Sequence, residues 1–309
     1  MLSRRSVRVK VMQALYALNT DKDLTFEQSK KAYWKSVDRT FELLIFNMYA
    51  LLEIIRLSIE DGNKREKKHL PSDYDKKFTP KLFKNGIVQT LYLHEGFRKY
   101  VKDLNLSSKV DKDYFRKLYS KVAKSEEYEK YIMNDQADHL EMLLELYRFC
   151  RADDFFNEII EDIYFNWMDD KSLVIGSIKK CFKASPNLTR NFFKGFYPDD
   201  ETVKEYGEIL FQRTFEEDKM LLQIIKPLLK NWDHERLALI DTILIKMAIV
   251  EMLYCETIPT KVTINEYVEV SKMYSTPKSK DFINGILDKV LKTLQNDGKI
   301  VKKGRGLVE

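Results

Sequence analysis

NWDHERLALIDTILIKMAIVEMLYCETIPTKVTINEYVEVSKMYSTPKSKDFINGILDKVLKTL, residues 231–294, decides the fold, because it resolves into three helices joined by two short, sharply punctuated connections. In the first helix Leu237, Ile240, Ile243, Leu244, Met247, Val250 and Leu253 recur at three- and four-residue spacing, which places them on one face of a 3.6-residue period. Asp233 is positioned to cap its start. Pro259 cannot donate a backbone hydrogen bond and pushes Ile258 toward extended geometry, so this helix ends before it. Thr263 and Glu266 have the Thr-x-x-Glu spacing of a capping box and predict the start of the second helix, with Ile264, Tyr267, Val268 and Ser271 facing inward. The third helix is expected to begin around Pro277 and to bury Ile286, Leu287, Val290, Leu291 and Leu294, with Phe282 at its end free to face either way. Gly285 costs roughly 1 kcal/mol relative to Ala in mid-helix, which predicts a close backbone contact there.

Trp232, Arg236-Leu237, Ile240-Asp241, the run IPTKVTINE at 258–266 and FINGILD at 282–288 together resemble the NusB family of transcription antitermination factors. The blocks stand in the family's order and spacing. Lys246 departs from the family's Arg, and Ser271-Lys272 from its Ala-Lys.

Elsewhere the chain reads as helix-rich. Its 309 residues contain only 10 Gly and 7 Pro, leaving little linker material, while 44% hydrophobic and 33% charged residues suit the two faces of amphipathic helices. Cys150, Cys181 and Cys255 are far apart, supporting neither a disulfide framework nor a zinc site and fitting a reducing cytoplasm. No signal-like segment opens the chain, and Glu42, Asp241, Lys246 and Glu251 interrupt its most apolar stretches, so a cytoplasmic protein without membrane contact is expected. The net charge of +5 says little about partners; its distribution says more.

Arg4, Arg5, Arg8 and Lys10 have no acid near them in the chain, and Val7, Val11, Leu15 and Leu18 recur at helical spacing. This describes an amphipathic helix with a cationic first turn, where the macrodipole disfavours positive charge. The three guanidinium groups can share a face and engage successive phosphates. A solvated basic face is the alternative. The run RRSVRVKVMQALY at 4–16 again resembles the NusB family, whose arginine-rich start binds boxA RNA.

Between these two ends lies an anomaly, a large helical insertion expected over residues 21–199. Residues 1–20 and 200–296 would form the discontinuous RNA-binding domain, and 297–309 a basic tail. Phe41, Leu44, Ile45, Met48, Leu51, Leu52, Ile55 and Leu57 predict a long buried helix, followed by a polar, lysine-rich loop at 62–84 that reads as solvated, with nucleic-acid contact as the alternative. Further helical patterns cover 86–103, 111–133 and 135–150. Ile159-Ile160 and Asn166-Trp167 are echoed at one displacement by Ile224-Ile225 and Asn231-Trp232, which reads either as a degenerate repeat or as two convergent helical hairpins. A helix from 201 to 230 should be kinked or restarted by Pro227.

Catalytic motifs are missing, the histidines have no metal-like spacing, and His234 beside Asp233 and Glu235 reads as a first-turn cap; neither an enzyme nor a cofactor is expected. The resemblance implies an all-α, NusB-like helical bundle that binds boxA-type single-stranded leader RNA of ribosomal transcripts together with the ribosomal protein NusE, within the transcription elongation complex. It implies RNA contacts at Tyr16, Lys278 and Phe282 beside the N-terminal cations, with Lys278 standing where the family has an acid, and a NusE contact at Asp241. The rival expectation is a helical interaction scaffold that works through the insertion, its RNA site vestigial.

Overall fold

The computed structural model describes residues 2–229 and 238–303. Asp233, His234, Leu237 and Trp232 therefore lie outside the described residues, as does the second half of the Asn-Trp echo. Among the described residues the chain is helical throughout, without strands, and none of its helices is long and apolar enough to cross a membrane.

In chain order the helices are α1 (Arg4–Thr20), α2 (Phe26–Arg65), α3 (Asp73–Lys77), α4 (Lys81–Lys84), α5 (Gly86–Leu93), α6 (Glu95–Asp103), α7 (Lys112–Val122), α8 (Glu126–Met133), α9 (His139–Ala152), α10 (Asp154–Ile163), α11 (Trp167–Ala184), α12 (Gly207–Glu216), α13 (Asp218–Ile225), α14 (Leu239–Tyr254), α15 (Thr260–Tyr274) and α16 (Ser279–Asn296). They form two compact units, one from Asp38–Tyr197 and one from Leu2–Val37 with Pro198–Glu309. The 40-residue α2 contributes its opening turns to the second unit and the rest to the first. Thr25 and Gln28 start it with a reciprocal cap: the Thr25 amide donates to the Gln28 side chain (2.8 Å) and the Gln28 amide to the Thr25 hydroxyl (3.3 Å).

In the Asp38–Tyr197 unit, Leu43, Leu44, Ile45 and Phe46 on α2 are all fully buried, so this helix is enclosed on every side. Around it stand Leu143 and Tyr147 of α9, Phe156 and Ile160 of α10, and Trp167, Ile178 and Phe182 of α11. The lysine-rich loop is more ordered than expected. Ser72 and Asp75 cap α3 reciprocally, and Asp75 also accepts from Arg65 (2.6 Å) and Lys68 (2.8 Å). Lys77 and Lys81 donate to carbonyls at the end of α8. These cations stitch the fold together because burial and unpaired carbonyls give them partners that a solvated loop would lack.

In the other unit α14 is the axis, touching α1, α12, α13, α15 and α16. It is not the one-faced amphipathic helix of the sequence pattern: an unbroken run from Met247 to Met252 is buried. The segment 201–229 is interrupted more than once, running as a π-helical stretch (Glu201–Tyr206), α12, α13 and, at Pro227, a 3-10 turn (Lys226–Leu229). α15 starts at Thr260 with Pro259 at its cap position and no side-chain cap, so Thr263 and Glu266 are not a capping box; both side chains are taken up by the charge network described below. α16 begins at Ser279, two residues after Pro277. The space beside Gly285 is open, against the expected close contact. The glycine that permits a close approach is Gly207, where a Cβ would fall 1.9 Å from the Tyr33 hydroxyl.

Candidate nucleic-acid interface

Ser3 caps α1 by accepting from the Ser6 amide (3.2 Å), and the helix then runs into the unit's interior, packed on α12, α14 and α15. That embedding splits the expected arginine face in two. Arg8 is inside, its side chain 3% exposed against 0% for Glu251. Its guanidinium donates two parallel bonds to the Glu251 carboxylate, both 2.8 Å, and a third to Glu266 at 3.2 Å. Glu251 further accepts from Tyr206 (2.5 Å), Thr263 (2.8 Å) and Tyr267 (3.3 Å). A buried carboxylate is tolerable only when its lone pairs are filled in this manner. The arginine's pKa is raised by its bonds to Glu251 against the opposing effect of burial, while burial lifts both tyrosines well above their usual value.

Arg8 is therefore held inside the fold by its carboxylate partners and not on the solvated face expected for it. Lys10, also buried at 3% exposure, shares that correction. Both lie on the stretch of α1 that its neighbouring helices enclose.

Arg4 and Arg5 remain at the surface. Arg5 makes a two-pronged contact with Glu266 (2.8 and 2.6 Å) with half its side chain in solvent, and Arg4 reaches the exposed Glu201 at 3.3 Å. With Ser3, Thr257, Ile258, Pro259, Val262 and Glu266 they border an open groove of about 480 Å³, and the paired Arg8 guanidinium reaches its inner wall. Tyr16, 40% exposed, and the exposed Lys278 are surface groups outside the residues lining this groove.

Phe282 is buried, 9% exposed, and belongs to the core-facing stripe of α16 with Ile283, Ile286 and Leu287; the outward orientation allowed for it is not the one adopted. Asp241 is buried as well and accepts from the hydroxyls of Ser275 (2.6 Å) and Ser279 (2.7 Å). It holds the connection that carries Lys278 rather than presenting its carboxylate outward. The expected tail is also tied down as far as it is described: Lys302 donates to the carbonyls of Glu251 (3.3 Å) and Cys255 (2.9 Å) at the end of α14, and burial lowers its pKa. Among the described residues no three His, Cys, Asp or Glu side chains gather as a metal set.

A NusB family profile matches residues 180–292. The transcription antitermination protein NusB of Salinibacter ruber is 38% identical over 110 residues, covering 36% of this chain and 69% of the relative. That of Methylacidiphilum infernorum is 42% identical over 100 residues, 32% of this chain and 70% of the relative. The chain belongs to the NusB family. The Chloroherpeton thalassium NusB is 49% identical over a shorter stretch of 79 residues, 26% of this chain and 37% of the relative. The solved T. maritima NusB is 25% identical with a TM-score of 0.29, covering 50% of this chain and 84% of that one.

The NusB-family match contains Tyr206, Glu251, Thr263, Glu266 and Tyr267, whereas Arg8 lies far outside it. The buried network thus ties α1 to the matched helices by five side chains. Sequence reading missed Glu201, Tyr206, Glu251 and Glu266 as partners of the arginines, and only Glu266 stood within a recognised block. An acidic residue inside the otherwise apolar Met247–Met252 stretch, Glu251, was the available signal, because a charge there demands a partner.

Proposed function

We propose that this chain is a transcription antitermination factor that binds boxA-type single-stranded leader RNA together with NusE. The observation that carries the reading, beyond membership in a family whose curated relatives bear the name transcription antitermination protein, is the paired cationic edge of Arg4 and Arg5 along an open groove. Each guanidinium is held by a carboxylate that is itself at least partly in solvent, so an RNA phosphate can replace it at little desolvation cost. Tyr16 offers an exposed ring for stacking on an unpaired base, and Lys278 a further phosphate contact.

In this reading Arg8 positions α1 through Glu251, and Phe282 supports α16 from the core. Asp241 acts on NusE through Ser275 and Ser279, by fixing the connection between α15 and α16. The test is a gel-shift titration of boxA-type leader RNA with the chain, with NusE, and with both. Cooperative retardation by the pair, lost when the boxA sequence is scrambled, is the expected result. Equal retardation of the scrambled RNA, or none with both proteins present, overturns the proposal.

A further inference from the structure

The Asp38–Tyr197 unit contains a cavity of about 600 Å³ between α6 and the 3-10 turn Phe192–Phe196, and its lining carries polar groups that the fold does not use. On α6 the contributors are Glu95, at the rim, and Gly96, Lys99, Tyr100 and Asp103, the i, i+3, i+4, i+7 stripe of one helical face. Gly96 lets the opposite wall close in: a Cβ there would meet the Arg190 carbonyl at 3.0 Å. His94 locks the two walls together, accepting from the Phe97 amide through Nδ1 (3.1 Å) to cap α6 and donating from Nε2 to the Thr189 carbonyl (2.9 Å). The walls are therefore joined by His94, which is not part of the lining, and do not depend on Lys99, Asp103 or Lys194.

Those groups form a particular set. Glu95 and Arg190 pair with each other at 3.7 Å at the rim. The ammonium groups of Lys99 and Lys194 and the carboxylate of Asp103 also line the cavity, and none of these three has an ion pair or side-chain hydrogen bond among the described residues. The Tyr100 ring stands beside them, packed edge-to-face on Phe41 at 5.0 Å. The floor is the buried Phe193. A bare inorganic anion would leave Asp103 opposed and the rings unused, and an apolar ligand would leave three charges without partners.

We propose that this cavity binds a ribonucleotide unit. Lys99 and Lys194 hold its phosphate, Asp103 accepts from a ribose hydroxyl, and the Tyr100 ring receives the base. Each role matches a general mode of recognition: lysine as a point charge on phosphate, a carboxylate on ribose hydroxyls, and an aromatic ring under an unstacked base. The volume lies within the range of small-ligand sites. The inference is independent of the antitermination reading, because it requires nucleotide chemistry alone and uses none of the residues of the α1 groove. Its ligand is either a nucleotide within a single-stranded RNA or a free mononucleotide.

The experiment uses the full chain carrying Arg4→Gln and Arg5→Gln, so that the α1 edge is silenced, and follows fluorescence anisotropy of a short labelled oligouridylate. Adding Lys99→Gln with Lys194→Gln should weaken binding and flatten the slope of log affinity against log salt by up to about 1.4, about 0.7 for each lysine that meets a phosphate. Tyr100→Leu should weaken it about tenfold. Both lysines are exposed and leave folding intact, so the lysine result stands even if Tyr100→Leu lowers the melting temperature. Displacement of the oligomer by uridine monophosphate assigns the cavity to free nucleotides; displacement only by unlabelled RNA assigns it to a polymer, and either result supports the site. The proposal is overturned if the lysine variant matches its parent in affinity and salt slope, or if the parent binds no oligouridylate and no uridine monophosphate. Loss of boxA binding caused by Arg4→Gln and Arg5→Gln alone is read separately and bears on the α1 groove.

Discussion

Between Asp38 and Tyr197 the interior is built mostly from interchangeable material: Leu143, Ile160, Ile178, Phe156 and Phe182 fill space around α2, and each is defined by volume and shape. A buried carboxylate there, Asp170, accepts from Thr40 (2.6 Å) and Asn166 (2.7 Å) and meets no arginine among these bonds. At the centre of the other unit stands a carboxylate, Glu251, with an arginine, two tyrosines and a threonine arranged to satisfy it. An apolar core accepts another apolar residue of similar volume, whereas each member of the Glu251 network is specified by its hydrogen-bonding groups. This is why four of the network's six side chains, Arg8, Thr263, Glu266 and Tyr267, fall in or beside the stretches through which the chain resembles its family. The Asp38–Tyr197 unit offers mainly volume patterns, with the smaller Thr40–Asp170–Asn166 set as a charged counterpart.

The largest expected effect follows from breaking the network. Arg8→Gln leaves the Glu251 charge buried with its main partner gone and should cost about 3–5 kcal/mol of stability, read as a fall in the urea midpoint. Arg8→Met combined with Glu251→Leu should recover much of that loss, because replacing both charges removes the uncompensated one. If Arg8→Gln alone cost under about 1 kcal/mol, the contrast between the two interiors would collapse.

Phe282→Ala comes next. As a core residue at the edge of α16 it should cost about 3 kcal/mol, the lower end of the range for buried phenylalanine, and should depress the melting temperature. Weakened RNA binding with an unchanged melting temperature would instead show that the side chain works at the surface.

The helices themselves were readable in advance, since α14, α15 and α16 follow from period and punctuation at Pro259 and Pro277. The charge partners were not. Along the chain Arg8 has no acid nearby, yet Glu251 and Glu266 reach it from 243 and 258 positions away. Local spacing therefore described a free cationic face where the tertiary structure supplies three carboxylates. The two glycines show the same limit: Gly285 was conspicuous by its mid-helix position and has open space beside it, whereas Gly207 looked ordinary and sits against Tyr33. Thr263 and Glu266 show it once more, because the Thr-x-x-Glu spacing that makes a cap also places both side chains on the inner face of a helix already under way.

A milder change sharpens the comparison from the apolar side. Leu143→Met in the Asp38–Tyr197 unit keeps volume and apolar character at a fully buried site and should cost less than about 1.5 kcal/mol. Chemical denaturation under the conditions used for Arg8→Gln checks it. A loss as large as that of Arg8→Gln would mean that this interior is as residue-specific as the charged one.

The smallest effect on stability, and the most informative about function, belongs to Arg5. Its pair with Glu266 is half in solvent, so Arg5→Gln should cost at most about 1 kcal/mol at neutral pH. The pKa of Glu266 is lowered chiefly by the hydrogen bond from Arg5, with the charge of Arg8 assisting. A depressed carboxylate contributes stability above its unfolded pKa of about 4.3 and loses it as pH falls through the lower folded value. The urea midpoints of wild type and Arg5→Gln should therefore differ at pH 7 and converge under acid. RNA binding should respond in the opposite sense to the two partners of the pair. Arg5→Gln removes one phosphate contact and flattens the salt slope by about 0.7, whereas Glu266→Gln frees Arg5 from its competitor and should tighten binding. If both substitutions left RNA affinity unchanged, Arg5 and Glu266 would be partners of the fold alone, and the division of α1 into a buried keystone and an exposed binding edge would fail at its outer end.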